Sequence, residues 1–173
     1  MSDVEELTSL TIRPLAEGDS IEALTALLHR AYAGLAALGF NYTAVDQTAE
    51  VTRSRIRDGQ CFVADLDGTI VGAIMFYPPG KGGGCPWYDN PEVAKIGQFG
   101  VEPHLQGRGV GARLLDHVEA EAIRAGIREL ALDTAEGATH LVAWYERCGY
   151  RFIEHAQWRG KVYRSVILSK SLA

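Results

Sequence analysis

The sequence predicts an α/β (α+β) fold: a mixed central sheet of about seven strands with helices on both faces, in the order β-α-α-β-β-β-α-β-α-β-β. Three observations lead there. Along the 173 residues, apolar positions switch between a period of two and a period near 3.6, the marks of strand and helix. Turn signals fall between those runs, at Pro14, Gly18, Gly39, Asp67-Gly68, Gly126 and Gly149. Three strand-like runs follow one another between Cys61 and Val101, so the sheet is mixed and not wholly parallel.

Leu7–Arg13 alternates well enough for a first strand, ended by Pro14 and Gly18. Asp19 or Ser20 can cap a helix with Ile21, Leu24, Leu28, Ala31 and Leu35 on its apolar face, broken at Gly39. Phe40–Thr43 reads as a loop, and a second helix starts near Asp46 or Thr48 and stops at Gly59. Cys61–Leu66 and Thr69–Tyr77 flank Asp67-Gly68, a preferred type I′ pair, and form a hairpin. Pro78–Pro91 is a long loop. Gly82-Gly83-Gly84 makes its first part pliable, Trp87 and Tyr88 give its second part something to bury, and a substrate lid and a plain connector fit it equally. A strand over Val93–Val101 leads into a helix with Val110, Leu114, Leu115, Val118 and Ala122 on one face, stopped at Gly126. Ile127–Asp133 is the next strand. Leu141, Tyr145 and Cys148 line a helix closed by Gly149, and Tyr150–Trp158 with Lys161–Leu168 makes a last hairpin around Arg159-Gly160.

Length and an apolar content of 47% suit one domain over residues 1–173 with a substantial core. No apolar run approaches a membrane span, and Met1–Glu6 is acidic, without the blocks of a secretory signal. The expectation is a cytoplasmic protein with no membrane partner. Cys61, Cys85 and Cys148 are an odd count without ligand spacing and read as free thiols; the five histidines show no zinc spacing, so no metal is expected. A net charge of −5 argues against nucleic acid as a partner. Oligomeric state is not legible, although the edge of the last hairpin would let two copies pair as a homodimer.

The most informative run is Ile96–Leu115, a strand, a glycine-rich turn and an amphipathic helix. Gly107, Gly109 and Gly111 leave the backbone amides bare, and the helix start adds unpaired N–H groups and the positive end of its dipole. Such a turn suits phosphate oxygens; glycines beside a helix also serve plain packing. Gly107, Gly109 and Ala112 fit a dinucleotide fingerprint too, with Asp133 at a suitable distance. Against that reading, Glu102–Leu105 separate the strand from the glycines, and too little chain follows Asp133 for further β-α-β units.

Gln106–Gly111 also matches a Gln/Arg-x-x-Gly-x-Gly/Ala signature, and Trp144–Tyr150 an aromatic-Tyr-x-x-x-Gly-aromatic segment. On these two features the chain resembles the GCN5-related N-acetyltransferase (GNAT) superfamily, whose element order is the one read above. The resemblance spans about Leu10–Leu168 and is strongest over Ile96–Phe152. It implies a GNAT-like, mostly antiparallel sheet and acyl-coenzyme A-dependent N-acyl transfer. The expected reaction is acetyl-CoA:amine N-acetylation by direct transfer in a ternary complex, with acetyl-CoA as co-substrate. A CoA-binding regulatory or sensor module without turnover is the alternative, and a ping-pong route through Cys148 the alternative mechanism.

Residue by residue, the resemblance implies that Gln106, Gly107, Arg108, Gly109, Val110 and Gly111 hold the pyrophosphate, with Arg113 near. It implies that the strand at Val93–Val101 splays from that at Ile127–Asp133, exposing the backbones of Phe99 and Val101 to the pantetheine arm. Val101 N–H would then be the oxyanion donor and Tyr145 the general acid; by helix pattern alone, Tyr145 is a core residue. Gly97 and Gly100 favour a bulge in the strand. Glu102, Asp46, Asp133 and His155 are all conceivable bases. The acceptor, a small-molecule or peptide amine, would sit between Gly39–Asp46, Pro78–Pro91 and the last hairpin. Tyr42, Asp46 and Tyr88 are its candidate contacts, and the acidic overall balance suits a cationic amine.

Overall fold

The computed structural model describes residues 7–81 and 83–172; the acidic Met1–Glu6 stretch and Gly82 lie outside them. Strands β1 (Leu10–Pro14), β2 (Gln60–Leu66), β3 (Thr69–Tyr77), β4 (Val93–Val101), β5 (Glu129–Ala135), β6 (Arg151–Ala156) and β7 (Ser165–Ser171) form one sheet in the order β1-β2-β3-β4-β5-β7-β6. Helices α1 (Ile21–Ala37) and α2 (Ala49–Asp58) follow β1, α3 (Val110–Arg124) follows β4, and α4 (Thr139–Arg147) follows β5. This is the expected order. All pairings are antiparallel except β4 with β5, so the doubly wound parallel sheet of a dinucleotide fold is excluded.

The two faces follow from period-two alternation. Phe62, Ala64, Ile74, Phe76, Ala94, Ile96, Leu130 and Leu132 point to one side, where Val110, Leu114, Leu115, Val118 and Ala122 of α3 and Tyr145 of α4 complete the main core. Cys61, Val63, Ala73, Met75 and Tyr77 point to the other and meet Leu24 and Leu27 of α1 and Ile56 of α2. Removing Leu114, wholly buried on α3, would cost about 2–5 kcal/mol as Leu114→Ala.

Local signals decide the element ends. Ser20, not Asp19, caps α1 by accepting the Ala23 N–H at 3.1 Å; Asp19 is engaged by Arg13 at 2.8 Å. Thr48 caps α2 through the Val51 N–H, which leaves Asp46 outside the helix, behind a short 3₁₀ turn at Thr43–Val45. Asp67 and Gly68 take positive φ of 52° and 87°, as a type I′ turn requires.

The last hairpin differs from expectation. Its strands pair only from Ala156 with Ser165, leaving residues 157–164 as a wide loop instead of a tight Arg159-Gly160 turn. The Gln157 amide holds that loop open by donating to the Lys161 and Tyr163 carbonyls at 3.2 and 3.0 Å. The 78–91 loop is anchored in its second half: Cys85 and Tyr88 are buried, and Trp87 N–H donates to Glu154 at 3.1 Å. Gly84 takes φ +91°, and a Cβ there would come within 2.9 Å of Trp158, so this close approach needs glycine. Among the described residues no helix is long and apolar enough to cross a membrane.

Candidate active site

The parallel pair β4–β5 is joined over only three positions, Val93, Ala94 and Lys95 opposite Glu129, Leu130 and Ala131. Beyond them the strands part into a fork. On its other edge β4 pairs with β3, through a register shift between Ala73 and Met75 and a positive φ of 49° at Gln98. The irregularity lies between Gly97 and Gly100, where a bulge was expected, and Gln98 is the residue that takes the left-handed conformation. Glu102 N–H donates to Val71 O at 2.8 Å across the β3 side. By alternation, the N–H and C=O of Val101 point the other way, into the fork. The Val101 carbonyl is met there by the Gln106 amide at 3.0 Å, and the Phe99 N–H by the Tyr32 hydroxyl at 3.1 Å.

Val101 leads through Pro103–Leu105 into the glycine turn. Gly107 and Gly109 adopt φ of 76° and 90°, and Gly109 starts α3 without a side-chain cap. With Gln106 turned back to Val101, the first amides of α3 carry no capping side chain at the positive end of the helix. Arg113 instead donates to the Leu10 carbonyl at 2.8 Å. Arg108 is half-buried on the turn and is not among the cavity-lining residues.

Fork and turn open onto one cavity of about 910 Å³. On the α3/α4 side it is walled by Gly111, Leu141, Trp144 and Tyr145. Tyr145 is buried edge-on between Trp144 and Tyr150, and burial, with Tyr32, Tyr42 and Asp133 near, holds its phenol well above its ordinary range. It is thus a neutral hydroxyl carrying its proton.

The opposite wall holds Tyr32, Tyr42, Tyr88, Lys95, Asp133 and Trp158. Tyr42 ties the α1–α2 connection to β5, its hydroxyl 2.8 Å from Thr134 Oγ1 and accepting the Ala135 N–H at 3.0 Å. Tyr88 donates to one Asp133 oxygen at 2.7 Å and Trp158 Nε1 to the other at 3.0 Å, with the two rings stacked at 6.0 Å. The Asp133 carboxylate is therefore fixed in direction while facing the cavity.

The cavity does not gather every residue the sequence offered. Asp46 is exposed and outside the lining; Glu102 is paired with Arg30, and His155 with Glu136 at 3.1 Å. Cys148 packs against the main core and is not in the lining, and burial raises its thiol pKa. Of the conceivable bases, Asp133 alone lines the cavity. Tyr32 and Lys95 escaped the sequence reading. Lys95 had a signal, a lone cation in the otherwise apolar Val93–Ile96 run. Tyr32 had none, because a tyrosine on a helix face reads as packing.

Comparison with known proteins agrees with this geometry. The profile of the acetyltransferase (GNAT) family matches residues 22–150. S-(2-succino)cysteine N-acetyltransferase from Bacillus subtilis (strain 168) is 29% identical over 163 residues, covering 91% of this chain and 94% of that protein. Among solved structures, a GNAT family acetyltransferase from Elizabethkingia anophelis with acetyl-CoA bound superposes with a TM-score of 0.67 at 20% identity, covering 95% of this chain and 99% of that one. The ribosomal-protein-S18-alanine N-acetyltransferase from Escherichia coli gives 0.72 at 18% identity, covering 95% and 94%. A profile match over most of the chain, on a fold with the fork and the uncapped glycine turn in place, carries the assignment: the chain belongs to the acetyltransferase (GNAT) family and is an N-acetyltransferase.

Proposed function

We propose that the protein transfers the acetyl group of acetyl-CoA directly to the primary amine of a small molecule. The observation that carries this reading is the fork itself, a β4 edge without a strand partner beyond Lys95 that runs on into an uncapped helix start. The amides of Gly107–Gly111 would receive the diphosphate, with Gln106 and Arg108 flanking the turn. The β4 edge at Phe99 and Val101 would receive the pantetheine amides as an added strand. Val101 N–H, pointing into the fork, would donate to the thioester carbonyl oxygen as charge builds on it.

Asp133 would orient the acceptor ammonium, helped by the aromatic walls of Tyr42 and Tyr88. An alkyl ammonium of pKa about 10.4 must shed a proton near neutral pH at a cost of about 4–5 kcal/mol, and Asp133, directly or through water, would receive it. As the C–N bond forms and the C–S bond breaks, Tyr145 would give its proton to the departing thiolate. The position of Cys148 outside the cavity supports direct transfer over an acetyl-cysteine intermediate. One relative that aligns along nearly its whole length is named for S-(2-succino)cysteine, a small amine, which supports such an acceptor over a protein lysine.

The test is thiol release from acetyl-CoA with a panel of primary amines that includes S-(2-succino)cysteine. Turnover on at least one small amine, with CoA stabilising the protein against heat, is expected. Stabilisation by CoA with no turnover on any amine would leave a CoA-binding module without catalysis.

A further inference from the structure

The cavity wall carries a charge opposite to that of the whole chain. Its charged lining residues are Arg55, Lys95, Arg159 and Lys161 against the single carboxylate of Asp133, in a protein whose net charge is −5. The overall acidic balance, which suited a cationic acceptor, therefore does not describe the site.

These cations are not placed for the diphosphate. Lys95 lies where β4 and β5 are still joined, at the closed end of the fork. Six residues of strand, about 20 Å at the usual rise, separate it from Val101, and the glycine turn lies beyond that. The faces differ too. Ala94 and Ile96 point to the α3 side, so Lys95 points to the α1/α2 side, the side on which Asp133 also lies.

Lys95 is held there by two rings. Its Nζ stands 5.3 Å from the Tyr77 centroid and 5.1 Å from that of Tyr88, and among the described residues it makes no hydrogen bond or ion pair. Burial lowers its pKa and Arg55 adds to that shift, while Asp133, Cys85 and Asp58 oppose it. Lys161, which donates to the Asn41 carbonyl at 2.7 Å and to Thr43 Oγ1 at 3.0 Å, is lowered by burial and by Arg55 as well, against the opposing fields of Asp46 and Asp133. Asp133 is one carboxylate against four cations, and it accepts from Tyr88 and Trp158 without a hydrogen bond or ion pair to Lys95. A half-buried ammonium beside further cations, with two rings against it and, among the described residues, no carboxylate paired with it, can receive an anion from outside.

We propose that the acceptor is an anionic amine, a small amino acid bearing a second carboxylate, whose acid groups are received by Lys95 and Arg55 with Lys161 behind them, while Asp133 faces its ammonium. This rests on the acetyl-transfer reading and adds the substrate class. A lysine that only covered two tyrosine rings would give no preference among acceptors by charge.

The experiment compares kcat/KM for L-aspartate, L-glutamate and L-2-aminoadipate with that for L-asparagine, L-glutamine and putrescine, in the wild type, Lys95→Met and Lys95→Arg. The acidic acceptors should lead by about tenfold or more in the wild type. In Lys95→Met that lead should fall by about 10- to 100-fold, with the KM for acetyl-CoA within twofold, and Lys95→Arg should recover part of it. Preference for a neutral or cationic amine, or an equal loss on all acceptors in Lys95→Met, overturns the proposal. If no amine is acetylated, the transfer reading fails separately, and thermal shift with L-glutamate still decides. Stabilisation of the wild type but not of Lys95→Met supports the site, and equal or absent shifts overturn it.

Discussion

The hydroxyl of Tyr32, on α1, accepts the N–H of Phe99, on the open edge of β4, at 3.1 Å. An edge N–H in the fork is thus satisfied by a side chain from α1. Tyr32→Phe removes the partner and leaves the donor unmet, at a cost of about 1 kcal/mol. Should the pantetheine arm supply an acceptor for that donor, saturating CoA will shrink the penalty. Urea unfolding with and without CoA measures it, and a penalty that CoA leaves unchanged would place the Phe99 N–H outside the binding edge.

Gly107 and Gly109 make a different kind of demand. A Cβ at either would meet nothing within 4 Å, so the need for glycine is conformational, set by φ of 76° and 90°. Gly109→Ala is expected to cost about 1–3 kcal/mol through backbone strain, or to relax by moving the turn. A moved turn misaligns the amides at the start of α3. The expected signature is a raised KM for acetyl-CoA with kcat changed far less, read from initial rates at saturating acceptor. Gly109→Asn should be milder, because asparagine tolerates the left-handed region.

Which parts of this were legible in the sequence follows from where the information resides. The element order was legible because β2 and β3 are short apolar runs buried on both faces and joined by Asp67-Gly68, while α3 carries a clean period of 3.6. The glycine turn was legible because its chemistry is local. The width of the 157–164 loop was not, since it depends on one Gln157 side chain reaching three carbonyls along the loop. The cap of α1 was ambiguous between neighbours until Arg13 claimed Asp19. The charge of the cavity was hidden because Arg55, Lys95, Arg159 and Lys161 come from α2, β4 and the last loop, and a net charge sums over surfaces that never meet.

Tyr145 combines two predictions with one cause. Burial holds its proton well above the ordinary phenol range, so it remains an acid through the physiological range. Tyr145→Phe should lower kcat by about 10²-fold, the small end of the general-acid range, with the KM for acetyl-CoA nearly unchanged. For stability, the folded pKa lies above the unfolded value of about 10. The contribution is present in full below pH 10 and is lost as pH rises past it, because only the unfolded chain then gives up the proton. Urea midpoints between pH 8 and pH 10.5 should therefore fall more steeply in the wild type than in Tyr145→Phe. Parallel curves would show that the phenol is not shielded.

Asp133 is where position and chemistry can be separated. Its two oxygens accept Tyr88 Oη and Trp158 Nε1 at 2.7 and 3.0 Å. In Asp133→Asn, the amide oxygen can still accept from the indole, which only donates, while the amide N–H₂ turns toward Tyr88, whose hydroxyl can accept as well as donate. The site should stay assembled, with stability within about 1 kcal/mol of wild type. What disappears is the negative charge that, in the proposed mechanism, faces the ammonium and takes its proton. Turnover should drop by about 10²-fold or more, and raising the pH toward the acceptor's own pKa should restore part of it, because a larger fraction of the amine then arrives already deprotonated. A variant that keeps wild-type turnover at neutral pH would remove Asp133 from the proton path and leave it as a brace for Trp158 and Tyr88.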